Sequence, residues 1–178
     1  NQTVMQTRDW IRLVLAWSII LEIQILVINN LNLNKYMFPQ LYIILLLTLP
    51  INLKHLIGYL IAFSLGFIVD SFSYTPGLQS FTAVFIMFLR YVYFNNVVDK
   101  EWLSTGIRPS FSTADAGWFV IYVSIFTTVF HTILFVMENF SFNHFGSTLL
   151  KILYSSSLAI LLILLFLFTF NRETTDDS

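Results

Sequence analysis

The sequence predicts an all-α polytopic membrane protein: six transmembrane helices in a single integral membrane domain over residues 1–178, with both termini in the cytoplasm. Three observations predict it. The chain is 57% hydrophobic and 11% charged, with a mean hydropathy of +0.76, whereas a soluble domain carries about 25% charged residues. Apolar runs long enough to cross a bilayer are separated by short clusters of Asn, Pro, Gly and charge. The basic residues fall mostly on alternate connections, as the positive-inside rule requires. The same composition excludes a disordered chain, which would be poor in aromatic and aliphatic residues. A formal net charge of -1 offers no basic face for nucleic acid. Zero cysteines exclude a disulfide scaffold, a thiol nucleophile and any Cys-ligated metal.

The first span, Ile11–Asn29, contains Glu22 and Gln24 and ends in Asn29-Asn30-Leu31-Asn32. It lacks a small-residue cleavage site and reads as a retained helix, not a signal peptide. The second, Met37–Leu53, is strongly apolar only over Leu41–Leu49, between Pro39 and Pro50, which is short enough to be re-entrant. Charge decides between the two topologies. With six spans, Arg8, Arg12, Lys54, Arg90, Lys100, Arg108 and Arg172 lie on or near the inner side and only Lys35 and Lys151 lie outside. A re-entrant second segment would leave three inside against six outside, contrary to the rule. The remaining spans are Leu56–Ser73, Leu78–Asn95, Gly117–Met137 and Ser147–Phe170. In the longest connection, Val97–Leu103 suits a short interfacial helix with Trp102 at headgroup depth. Ser112, Thr113 and Asp115 offer N-caps for the fifth span. The acidic tail after Phe170 is expected to be disordered.

The third span carries the most informative pattern. Gly58, Ala62, Gly66 and Asp70 recur every four residues and share one ridge, where small residues admit a second helix, from this chain or from a partner. Asp70 ends the ridge, with Ser71, Ser73 and Tyr74 as candidate donors and Lys151 as a candidate charged partner. Thr75-Pro76-Gly77 follows as a turn, Pro76 presetting one dihedral and Gly77 allowing positive φ. Glu22, Asp70, His131 and Glu138 lie toward the outer ends of their spans, with Lys151 near the outer start of the sixth. Buried ionisable groups of this kind need a partner or an edge position. Glu138 and Asp70 are the candidate partners of His131, and Ser155-Ser156-Ser157 are expected to bond back to their own helix.

Signatures of catalysis are missing: there is no G-x-S-x-G, H-E-x-x-H, P-loop or G-x-G-x-x-G. Histidines at 55, 131 and 144 are too scattered for a metal site. The expectation is a protein that is not an enzyme and carries no cofactor. No internal repeat is present, which argues against an inverted-repeat transporter.

Gly66-Phe67-Ile68-Val69-Asp70 followed by Thr75-Pro76-Gly77-Leu78, and then an apolar helix reaching Arg90-Tyr91, resembles the bacterial rod shape-determining protein MreD family. Met37-Phe38-Pro39-Gln40-Leu41 with Leu49-Pro50 is similar to the family's proline-bracketed second span, and Val136-Met137-Glu138-Asn139-Phe140 to the acidic end of its fifth. The similarity covers almost the whole chain, and its specificity lies in the order of short motifs. It implies a multi-pass protein of the bacterial cytoplasmic (inner) membrane with the six-helix bundle of energy-coupling-factor S-components. It further implies a non-enzymatic scaffold of the cell-wall elongation (rod) complex. Such a scaffold maintains cell shape by binding MreC and coupling MreB filaments to RodA and its penicillin-binding transpeptidase in peptidoglycan synthesis. The alternative is a substrate-capturing S-component of a vitamin or metal uptake transporter. A polar-lined cavity of a few hundred Å³ would favour that alternative, and a filled core the scaffold.

Overall fold

The computed structural model describes residues 17–28, 36–73, 75–98, 108–111, 113–139 and 145–173, with side chains to Phe168. The described residues form six helices and no strand: α1 (Trp17–Val27), α2 (Ile43–Leu47), α3 (His55–Ser73), α4 (Leu78–Val97), α5 (Ala116–Glu138) and α6 (Phe145–Glu173). Helices α3, α5 and α6 are long and apolar enough to cross a membrane. At 20 residues, α4 spans about 30 Å at 1.5 Å per residue. Gln79, Ser80, Arg90, Asn95 and Asn96 make it too polar to qualify on composition alone. The turn before Leu78 makes α3 and α4 an antiparallel pair, and α5 and α6 form a second.

The ends of α3 to α6 lie close to those expected. The second segment is not the continuous helix expected of a span. Only Ile43–Leu47 is α-helical, preceded by non-helical chain from Met37 to Leu41 and followed by turns. Pro39 and Pro50 remove backbone donors on either side of this helix. Broken backbone at membrane depth is tolerated only inside protein, and Tyr42 through Leu47 are each at most 3% exposed. The segment does not fold back on itself. The Tyr42 hydroxyl lies at Gln79, Leu49 at Arg90, and the Leu53 and Lys54 carbonyls at the Tyr91 hydroxyl. It therefore runs alongside α4, in the same direction, for most of that helix.

Around this central segment the core closes with Ala62, Leu65 and Val69 of α3, Ala83, Ile86 and Met87 of α4, and Phe119, Phe126 and Phe130 of α5. Aromatic contacts knit α4 to α5: Tyr93 meets Phe126 edge-on at 5.7 Å, and Trp118 stacks on Tyr122 within α5 at 5.2 Å. The opposite faces of the helices carry exposed Leu, Ile and Phe throughout, the pattern of a surface that meets lipid. Val97 ends α4 and does not open a separate helix, while Trp102, the Ser112 cap and the tail from Thr174 lie outside the described residues; the tail's first residues, Asn171–Glu173, continue α6 and are not disordered as expected. Asp115 does cap α5, its Oδ2 accepting from the Trp118 N–H at 3.0 Å.

Candidate functional site

The polar residues of the bundle gather into three knots along the buried second segment. The first is Asp70, only 6% exposed. Its Oδ1 accepts from Thr75 Oγ1 and the Gln79 N–H, both at 2.9 Å. Its Oδ2 accepts from the Ser80 N–H at 2.9 Å and Ser80 Oγ at 2.6 Å. Gln79 and Ser80 open α4, whose N-cap position is Gly77 at φ 80°, a residue with no side chain to cap the helix. The carboxylate at the end of α3 therefore caps α4 across the turn, where unpaired N–H groups and the helix dipole favour a negative charge. Ser71 donates to its own helix at Phe67 O, not to Asp70 as anticipated. Lys151 does not reach Asp70 either; it pairs with Glu138 at 3.6 Å and lies over the Phe38 and Phe135 rings.

The ridge leading to Asp70 faces α4. A Cβ on Gly66 would sit 2.5 Å from Ser80 Cα and 2.8 Å from Gln79 O, and one on Gly58 would strike the Tyr91 hydroxyl. Gly58, Ala62, Gly66 and Asp70 are all buried, so the neighbour they admit belongs to this chain and the ridge is not open to a partner.

The second knot holds the start of the buried segment. α1 carries a π-helical insertion over Ile23–Val27, a feature frequent at functional positions. There Gln24 is fully buried while Glu22 stays exposed. Gln24 Oε1 accepts from the Leu41 N–H at 2.7 Å, and its Nε2 donates to Gln40 Oε1 at 3.0 Å. His131 Nδ1 bonds Thr127 O at 2.8 Å while its Nε2 accepts from the Gln40 N–H at 3.2 Å. This fixes the neutral Nδ1–H tautomer, and His131 pairs with neither Glu138 nor Asp70. Ser155 also departs from expectation: it reaches across to the segment, accepting from the Phe38 N–H and donating to Tyr36 O. Ser156 alone of the three serines is seen bonding back, to Leu153 O.

The third knot holds the segment's far end. Arg90 is completely buried, although the charge count had placed it at the inner rim. Its Nε donates to the Tyr122 hydroxyl at 3.0 Å, Nη2 donates to Leu49 O, and the guanidinium lies 4.9 Å from the Phe94 ring centre. Tyr122 in turn donates to Leu47 O at 3.1 Å. Leu47 ends the five-residue helix and Leu49 follows it, and neither carbonyl has a helical partner.

Two concavities border the knots. Between the first two, a cavity of about 360 Å³ is lined by Gln40, Gln79, Thr75 and Glu138 together with apolar side chains of α1, α3 and α5. On the outer face, a shallow groove of about 860 Å³ between α3 and α4 is walled by Phe63, Phe67, Phe81 and Val84. Its rings stack along each helix, Phe63 on Phe67 at 6.0 Å and Phe81 on Phe85, outside the groove, at 6.1 Å. Among the described residues no group of three His, Asp or Glu side chains converges as a metal site.

Asp70, Pro76, Gly77 and the ridge were visible in the sequence; Gln24, Gln40, Gln79, Tyr42, Tyr122 and the burial of Arg90 were not. Arg90 had a signal, since it lies well inside its apolar run. The amides gave little, because neutral side chains do not stand out against charged ones. No protein-family model, curated protein or solved structure matches the chain. Fold and site together define an all-helical protein with membrane-spanning helices, in which buried polar side chains hold an irregular central segment.

Proposed function

We propose that this chain is a non-enzymatic scaffold of the bacterial cytoplasmic membrane, related to MreD, that binds an MreC-like partner and thereby couples MreB filaments to RodA and its transpeptidase. In this reading the second segment counts as a crossing, giving six passes with both termini inside. Removing the buried Arg90 from the charge count leaves six basic residues inside against two outside, the same direction.

The observation that carries the scaffold reading is the aromatic groove. Its walls are two helices locked together by the glycine ridge and the Asp70 cap, so it presents a rigid apolar surface at membrane depth. Membrane helices associate by close packing, for which such a preformed concavity is suited. Gln24, Asp70 and Tyr122 bond backbone groups of this chain, a use that is structural and needs no reaction.

Val84→Trp fills the groove floor from a half-buried position without touching the knots. It is expected to abolish copurification of a single-span, coiled-coil partner and to fail in rescuing rod shape, while the purified protein stays monodisperse. Full partner recovery and normal rods with Val84→Trp would remove the groove from the interface. The second reading, an S-component that captures a small molecule, draws on the cavity beside Gln40 and Gln79. Copurification of a pair of ATPases in place of the coiled-coil protein would select it.

A further inference from the structure

We infer that the cavity between Gln40 and Gln79 is a binding site for a small, uncharged, planar molecule carrying carbonyl acceptors. The inference deepens the second reading, which draws on the same cavity, and does not rest on the scaffold reading. Gln40 is 6% exposed and Gln79 is 3% exposed. Each carboxamide oxygen is engaged from within, Gln40 Oε1 by Gln24 Nε2 at 3.0 Å and Gln79 Oε1 by the Tyr42 hydroxyl at 3.1 Å. Neither amide nitrogen has a hydrogen-bond partner among the described residues, yet both side chains line the cavity. Both side chains open onto the cavity, so an acceptor that enters it meets two N–H donors engaged by no described residue.

The orientation of Gln40 is imposed. Gln24 Oε1 takes the Leu41 N–H, which turns Gln24 Nε2 toward Gln40 and leaves only the Gln40 oxygen to receive it.

Charge and shape narrow the class of molecule. Glu138 at the rim is balanced by Lys151, and Asp70 behind Thr75 is saturated by four hydrogen bonds. No unbalanced charge faces the space, so an ion would be desolvated without compensation. Phe38, Phe72 and Phe135 contribute ring surface to the walls, which suits a flat body. Thr75 donates to Asp70 and keeps its lone pairs, so it can accept an N–H from the same molecule. A neutral heterocyclic amide or imide presents this combination. The volume of about 360 Å³ lies within the roughly 300–1,000 Å³ typical of small-molecule sites.

The test uses the full chain in lipid nanodiscs and lumichrome, a fluorescent, neutral, planar imide, read by fluorescence polarisation against empty nanodiscs. Saturable binding is expected. Gln40→Glu keeps the oxygen that Gln24 needs but replaces the donor by an acceptor, and should weaken binding about tenfold or more. Ile25→Phe narrows the cavity from α1 without entering the amide network and should weaken binding similarly with an unchanged melting temperature. Absence of saturable binding overturns the inference. So does binding that survives both substitutions, or binding lost with Val84→Trp and not with Ile25→Phe, which would place the probe in the aromatic groove. Partner copurification is scored separately, so failure of the ligand site leaves the scaffold reading standing.

Discussion

At the scale of single residues, Asp70 does the work of an N-cap from a neighbouring helix. A carboxylate inside a membrane bundle loses hydration, and four hydrogen bonds from Thr75, Gln79 and Ser80 replace it. The division of those bonds between both oxygens sets the outcome of substitution. Asp70→Asn retains one oxygen and turns an NH2 toward either Ser80 or the Thr75–Gln79 pair, leaving donors opposed. It should lose about 1–3 kcal/mol, and Asp70→Leu, which abandons every donor, should lose more. Unfolding midpoints in a mild detergent should rank wild type above Asn and Asn above Leu. Equal midpoints for wild type and Asn would mean that charge and the second oxygen contribute nothing. The position of Asp70 beside a Pro-Gly turn was legible in the sequence. Its donors were not, because Ser71 and the α4 start compete for it and only packing places Gln79 and Ser80 under the carboxylate.

At the scale of elements, two interfaces have different tolerances. The α3–α4 contact is steric: Gly66 lies where an added Cβ would meet backbone atoms of Ser80, which cannot swing aside. Gly66→Ala should therefore cost about 1–3 kcal/mol through overpacking, whereas Gly146→Ala on α6, with open space around it, should be neutral or slightly stabilising. Chemical denaturation of the two variants compares them directly; equal stability would mean that the helices separate freely at Gly66. The contact around α2 is polar instead. Leu47 and Leu49 offer carbonyls that no helix satisfies, and Tyr122 and Arg90 donate to them from α5 and α4. Arg90→Lys keeps the charge but has no planar fork to serve Tyr122 and Leu49 together, and Tyr122→Phe leaves Leu47 O unpaired. Each should lower stability by about 1–3 kcal/mol. A melting curve for Arg90→Lys that matches wild type would show that charge alone suffices. Long apolar runs disclosed α3 to α6 because a membrane helix needs only length and apolarity. The same logic does not disclose that Met37–Leu53 is broken and enclosed, because hydropathy cannot distinguish burial in lipid from burial in protein.

At the scale of the whole molecule, the central segment fixes which ends of the helices lie together. Because it runs alongside α4 from Gln79 to Tyr91, the start of α3 joins the end of α4 at one face of the bundle. The Asp70 turn, the end of α5 and the start of α6 occupy the other, where Glu138 meets Lys151 and Asn139 donates to Thr148. The first face carries Lys54 and precedes Arg108; the second has Lys151 as its basic residue among those described. The positive-inside rule predicts that the first face is the cytoplasmic one. The chain contains no cysteine, so single cysteines report their side without background. Asn52 and Asn96 are exposed on the first face, Pro76 and Gly146 on the second. In intact cells, cysteines at Pro76 and Gly146 should react with an impermeant thiol reagent, and those at Asn52 and Asn96 should react only after the membrane is opened. Labelling of Asn52 and Pro76 from the same side would contradict a crossing by α3. Labelling of Asn52 and Asn96 alone from outside would keep the fold and reverse its orientation, and with it the side from which the Gln40–Gln79 cavity is reached.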